Sequence, residues 1–270
     1  MARAVRLVSL AAAGTLALAG CGQDDGPTTT DNGYTLDLVN QNKLTVCTNL
    51  PYVPFQYRDD NGDEVGFDVD LMDLAADEIG VDQEIVDIKF DSIKSGAAMA
   101  GGSCDVAAAG ITITEEREEN ITFSSPYFDE VLGFMSPAGE PVETIEQVKD
   151  EGLTLGVQAG TTSLDLALDA GLDPVQFEDS GKQQQAIKSG TVDVILQDLP
   201  VISEWMETDE TLAADFEQGG VVETGFQYGF AFKKDAEQEL VDAVDKAIAD
   251  ARESGEYDEI YERWFGSAPK

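Results

Sequence analysis

Cys104-Asp-Val-Ala-Ala-Ala-Gly-Ile-Thr-Ile-Thr-Glu-Glu-Arg117 decides how this chain is read. The small residues Cys104 to Ala109 read as a buried strand, and strands that alternate with helices build a largely parallel sheet. Arg117 follows at the strand end, where α/β folds expose their ligand contacts. Outside the basic leader the only other arginines are Arg58, Arg252 and Arg263. A planar guanidinium grips a carboxylate through two parallel charge-assisted hydrogen bonds, so the stretch reads as an anion-recognition element. The competing reading pairs Arg117 with Glu115, Glu116, Glu118 or Glu119 on a solvated face, where such pairs are worth little. The stretch alone does not separate the two.

The alternation continues on both sides. Lys43 to Cys47 is a strand, and Thr48 to Phe55 a loop in which Pro51 and Pro54 forbid regular structure and aromatic side chains are presented. Asp59-Asp-Asn-Gly62 reads as a hairpin turn, with Asn-Gly supplying positive φ. It is not a calcium loop, because position 57, where that loop needs an acid, is tyrosine. Asp68 to Ile79 has apolar residues at helical spacing and stops at Gly80. Glu84 to Ile88 is a strand, Phe90 a loop residue and Asp91 to Met99 a helix. Gly96 to Ser103 lacks the lysine of a phosphate loop.

Val131 to Met135 leaves this first unit, and a second series begins at Leu153 to Val157. It runs through a helix opened by Gln158 to Thr162, strand Val175 to Phe177, helix Gly181 to Ser189, strand Val192 to Leu196 and helix Leu199 to Met206. Val221 to Phe232 is extended and crosses back, because the last helices, Gln238 to Glu253 and Tyr257 to Phe265, have apolar faces and no third sheet to cover. The expected architecture is therefore two α/β lobes joined by two strands, residues 34–131 and 226–270 forming lobe 1 and residues 132–225 lobe 2. Ligands bind in such a cleft.

The first residues carry Arg3 and Arg6, then an apolar stretch too short to span a bilayer, then Leu18-Ala-Gly-Cys21. Residues 1–21 read as a lipoprotein signal peptide, with Cys21 carrying the lipid, and residues 22–33 as a flexible tether. The expected location is extracytoplasmic, on the outer face of the cytoplasmic membrane or in the periplasm, held through a lipid anchor. With 16 basic and 54 acidic side chains the formal net charge is −38, which excludes a nucleic-acid partner, and the acids are interspersed as on a solvated surface of the salt-tolerant kind. There is no histidine, which removes imidazole-based catalysis and the usual His-containing zinc sites. No metal and no cofactor is expected. Cys47 and Cys104 are expected to be free, since parallel strands would hold them about 13 Å apart.

Seven segments, in order over essentially the whole mature chain, carry a resemblance: Tyr52-Val-Pro-Phe-Gln-Tyr57, Gly66-Phe-Asp-Val-Asp-Leu71, Gly110 to Arg117, Phe123-Ser-Ser-Pro-Tyr127, Gly156-Val-Gln-Ala-Gly-Thr161, Val192 to Asp198 and Gly255 to Gly266. They resemble the polar amino-acid-binding proteins of ABC importers, in lipoprotein form. The resemblance implies a type II periplasmic-binding-protein fold, monomeric, that closes on a free amino acid and hands it to permease subunits. Arg117 would then grip the α-carboxylate, assisted by Thr112 and by the N–H groups of Thr161 and Thr162 at a helix N-terminus, a favourable place for an anion. Asp198 would take the α-ammonium together with the Gly110 carbonyl and Thr112. Tyr52 and Phe90 would sandwich the side chain. Asn49 matches a position at which family members favouring cationic side chains often carry an acid, so its neutral amide counts against lysine or arginine; with Gln158 near the side-chain end, two amides suit a polar uncharged group such as that of glutamine or cystine. Ser92 to Ser103 departs from the family pattern by extra residues around Met99 to Gly102.

Two other classes compete. A dehydratase-type enzyme on the same scaffold needs only an acid in the cleft, but the matched acid, Asp198, is committed to an ammonium. A sensing receptor would continue into an apolar span, whereas the residues from Phe265 to Lys270 contain none.

Overall fold

The computed structural model describes residues 27–267. A small hairpin, Thr28–Thr29 (β1) with Thr35–Leu36 (β2), precedes strand Lys43–Thr48 (β3). Tyr57–Arg58 (β4) and Glu64–Val65 (β5) form the second hairpin, followed by helix Phe67–Ile79 (α1) and strand Asp82–Asp87 (β6). Helices Phe90–Lys94 (α2) and Ala97–Ala100 (α3) lead to Val106–Ala107 (β7), Glu115–Glu118 (α4) and Ile121–Phe123 (β8). The long strand Phe128–Pro137 (β9) opens the second unit: Ile145–Glu151 (α5), Leu155–Gln158 (β10), Thr162–Asp169 (α6), Val175–Phe177 (β11), Ser180–Lys188 (α7), Val194–Asp198 (β12), Leu199–Thr208 (α8) and Glu210–Asp215 (α9). Phe216–Tyr228 (β13) and Ala231–Lys233 (β14) run back, and Gln238–Ser254 (α10) and Glu256–Phe265 (α11) close the chain.

Two five-stranded sheets result, ordered β6-β3-β7-β14-β8 and β11-β10-β12-β9-β13. In each, three strands are parallel and the remaining pairings antiparallel. The chain passes between the sheets twice, after β8 and after β13. Those are the two crossings that the extended runs around Val131 and Val221 led one to expect. Helix α1 buries Leu71, Met72, Ala75, Ala76 and Ile79, and α10 lays its own apolar face, including Val244 and Ile248, in the same core. Gly80 ends α1 in the left-handed conformation, its N–H closing on the Ala76 carbonyl.

Several local expectations are corrected. Phe90 opens α2 rather than lying in a loop, and the single helix expected over 91–99 is two short ones. Gly96 breaks them at φ 74, where a Cβ would come within 2.6 Å of the Asn120 carbonyl oxygen. The strand expected over Cys104 to Ala109 is regular only at Val106–Ala107.

That shortening overturns the expectation of two free thiols: Cys47 and Cys104 form a disulfide, with Cα atoms 5.6 Å apart. Cys47 does pair with Ala107 across parallel strands, as the 13 Å argument assumed. The chain before Val106, however, is not extended. The Ser103 N–H closes on the Ala98 carbonyl (3.0 Å), and the Asp105 carboxylate accepts from the N–H groups of Val39 (2.7 Å) and Thr45 (2.8 Å). The bend folds Cys104 over the sheet face onto Cys47, amid Phe90, Ile93 and Met99.

Residues from Thr28 onward are folded against the end of α1, where Thr30 Oγ1 donates to the Ile79 carbonyl (2.5 Å) and Asn32 Nδ2 to that of Asp77 (2.8 Å). Residues 28–33, expected to belong to a flexible tether over 22–33, are thus part of the folded body. The first residues of that tether, the leader and Cys21 lie outside the described residues. Among the described residues no helix is long and apolar enough to cross a membrane.

Candidate functional site

The two lobes meet over a narrow crevice. The structure brings all ten sequence-derived candidates to its walls: Asn49, Tyr52, Phe90, Gly110, Thr112 and Arg117 from the first lobe, and Gln158, Thr161, Thr162 and Asp198 from the second. The lobes already touch across it. Ser180 Oγ donates to the Pro51 carbonyl (2.6 Å), Lys89 pairs with Glu178 (2.7 Å), and Gln158 Nε2 donates to Asn49 Oδ1 (3.1 Å).

Arg117 lies in the single turn of α4, whose N-cap, Thr114, accepts from the Arg117 N–H (3.3 Å). The turn folds the side chain inward while Glu115, Glu116, Glu118 and Glu119 remain exposed. Nη1 donates to the Thr112 carbonyl (2.8 Å) and Nη2 to the Gly160 carbonyl of the other lobe (3.1 Å), with the guanidinium 5.7 Å from the Phe90 ring centre. Among the described residues no carboxylate forms an ion pair with it, which removes the surface-pairing reading. Burial pushes its pKa down, partly offset by the negative field of Glu130. A desolvated cation with unused donors calls for an anion.

Asp198 ends β12 and begins α8, yet its side chain makes no capping bond. Its buried carboxylate accepts from the Tyr52 hydroxyl across the cleft. Burial raises its pKa to about 7, opposed by the Tyr228 hydroxyl. It too is in no ion pair among the described residues. Its wall continues through Gly110, whose φ of 55 suits glycine and where a Cβ would come within 3.0 Å of the Tyr52 ring. The Gly110 N–H is held by buried Asp68 (2.9 Å), which also accepts from Tyr127 (2.8 Å).

Glu130, on β9, was not among the expected residues, yet it is buried and lines the crevice. Its Oε1 accepts from Thr112 Oγ1 (2.5 Å) and Thr162 Oγ1 (2.8 Å), one hydroxyl from each lobe. Each hydroxyl has a single proton and both are committed to Glu130, so Thr112 has none to offer a carboxylate. It can still accept from an ammonium. In this arrangement an anion would meet Arg117 and the N–H groups at the start of α6. Thr161 caps that helix, accepting from the Leu164 N–H (3.4 Å) and donating to the Gln158 carbonyl (2.8 Å). The only sequence signal for Glu130 is its period-two spacing from Phe128, which puts the two on one face once the segment is a strand; the burial of that face comes from the structure. Gln56, Ala109, Ser163 and Gln197 also line the crevice and had no comparable signal.

Comparison with known proteins places the chain in a family. The family described as bacterial extracellular solute-binding proteins, family 3, matches residues 44–267. A protein of Neisseria gonorrhoeae named as a probable histidine-binding protein is 28% identical over 223 residues, covering 82% of each chain. The solved structure of an ancestral arginine-binding protein bound to arginine is 34% identical with a TM-score of 0.77, covering 83% of this chain and 98% of that one. The ancestral amino acid-binding protein AncCDT-1, described as a precursor of cyclohexadienyl dehydratase, is 29% identical with a TM-score of 0.73, covering 83% and 96%. With the match extending over nearly the whole described chain, from β3 through α11, this protein belongs to the bacterial extracellular solute-binding proteins, family 3.

Proposed function

We propose that this protein captures a free L-amino acid between its lobes outside the cytoplasmic membrane and delivers it to the permease of an ABC importer. A lipid on Cys21 would tether it there as a monomer. The observation that carries the reading is that Arg117 from the first lobe and the buried carboxyl group of Asp198 from the second line one crevice, neither in an ion pair among the described residues. An α-amino acid carries the two complementary charges. It would bridge the lobes and favour the closed arrangement because it contacts both. Arg117 and the α6 N–H groups would hold the carboxylate. Asp198, Thr112 and the Gly110 carbonyl would hold the ammonium, between the Tyr52 and Phe90 rings.

Titration calorimetry of the folded protein against the twenty amino acids, cystine and ornithine tests this; no heat from any of them would refute it. A second reading, an enzyme of the dehydratase type, is favoured by the likeness to AncCDT-1 and by the buried Asp198, whose pKa of about 7 lets it hold a proton near neutrality. Turnover of a prephenate-type or arogenate-type substrate would reverse the ranking.

A further inference from the structure

Three buried side-chain oxygens that line the crevice lack any hydrogen-bond partner: Oε1 of Gln158, Oε1 of Gln56 and Oε2 of Glu130. All three are acceptors. For the two amides the backbone dictates this polarity. The Ile88 carbonyl can only accept, so the Asn49 amide nitrogen must face it, as it does at 3.0 Å. Asn49 Oδ1 is thereby turned to Gln158, whose nitrogen must face Asn49 (3.1 Å) and whose oxygen is left bare. The Asn49 carbonyl imposes the same choice on Gln56, whose nitrogen approaches it at 3.5 Å. Flipping either glutamine would set oxygen against oxygen.

Charge points the same way. The crevice walls carry Arg117 against Glu130 and Asp198, one basic group against two acids, and an ammonium drawn to Asp198 leaves both acids ionised. A zwitterion with a neutral side chain leaves that imbalance in a desolvated site, whereas a cationic side chain cancels it. Building on the amino-acid reading, we infer that the pocket selects L-amino acids whose side chain ends in a cationic hydrogen-bond donor, a guanidinium or an ammonium, and that the Ile88–Asn49–Gln158 relay sets this polarity. This displaces the expectation of a glutamine-like or cystine-like ligand. The two amides are not free to present either face.

Calorimetry of the full chain with L-arginine and L-citrulline tests the relay directly, because the pair differs by exchanging a charged donor for a carbonyl at constant shape. L-Lysine, L-glutamine and L-glutamate complete the set. The expected result is that arginine or lysine binds at least about tenfold more tightly than citrulline and glutamine, the consequence of setting a carbonyl against a buried acceptor, and that glutamate gives no heat. Gln158→Leu should lower the arginine-to-citrulline ratio, and the near-isosteric Gln158→Glu should raise it; should the leucine variant not fold, the glutamate variant carries the test. Citrulline or glutamine binding as tightly as arginine and lysine would overturn the inference and leave the amino-acid reading intact. So would a ratio that neither variant moves. Absence of binding by every amino acid tried would instead remove the underlying reading and this inference with it.

Discussion

Replacing Arg117 by methionine isolates the charge on which the proposed site depends. Methionine keeps an unbranched chain of similar reach beside the Phe90 ring but removes the donors now directed at the Thr112 and Gly160 carbonyls. The guanidinium is only 7% exposed, and among the described residues it has no ion pair, so a carboxylate beside it meets a cation that water screens little. An incoming carboxylate then gains a preorganised partner. Removing one member of a buried charge pair costs about 2–5 kcal/mol, which is about 30- to 5000-fold in Kd. The assay is a double-mutant cycle by calorimetry, in which wild type and Arg117→Met are each titrated with the best-binding amino acid and with its α-carboxamide. Wild type should prefer the acid strongly, and the variant should barely distinguish acid from amide. A variant that binds within about threefold of wild type, or that keeps the full preference for the acid, would refute the role assigned to Arg117.

Asp198 makes binding pH-dependent: with its pKa raised to about 7 by burial, it must lose a proton before it can hold an ammonium, so affinity should fall as pH drops below 7. Calorimetry in buffers of different ionisation enthalpy should show proton release at pH 6, and Asp198→Asn should abolish both the release and most of the affinity. The empty protein should show the linked effect, because raised acid pKa values at Asp68 and Asp198, both about 7, mean that the fold holds protons the unfolded chain has lost. Stability should therefore decline from about pH 4 to pH 7 and then level off; thermal melts that rise through that window would contradict the assignment. Reducing Cys47–Cys104, which closes a separation of 57 residues, should cost about 4 kcal/mol in the chain-entropy picture, and equal melting temperatures with and without reductant would count against the bond. Tyr52→Ala should weaken ligand binding by about 1–2 kcal/mol through loss of one wall, and an unchanged Kd would show that the ring does not contact the ligand.

The helices and strands with strong periodicity were legible in the chain: α1 with its glycine stop, α10, α11, and the strands around Val46, Val157 and Ile195 all occur within a residue or two of their expected places. Regular burial on one face repeats in the sequence, so it can be read there. The segments that escaped are those governed by contacts between distant parts of the chain. Asp105, tied to Val39 and Thr45, bends a run of small residues that local pattern reads as a strand, and in doing so brings Cys104 to Cys47. Gly96 splits a helix by its left-handed backbone, at a place where the Asn120 carbonyl leaves no room for a Cβ. The short helix α4 has no periodicity to detect, yet its one turn is what directs Arg117 inward.

By itself the order of residues determined the α/β character, the two crossings between units, and which side chains to examine, because periodicity, turn chemistry and recurring motifs are properties of neighbours along the chain. Tertiary structure alone decided that Arg117 and Asp198 face one crevice, that Glu130 takes the protons of Thr112 and Thr162, and that the Ile88 carbonyl orients Asn49 and, through it, Gln158. Hydrogen-bond polarity and desolvation depend on which groups meet in space, and here most of those groups lie far apart in sequence or on different lobes.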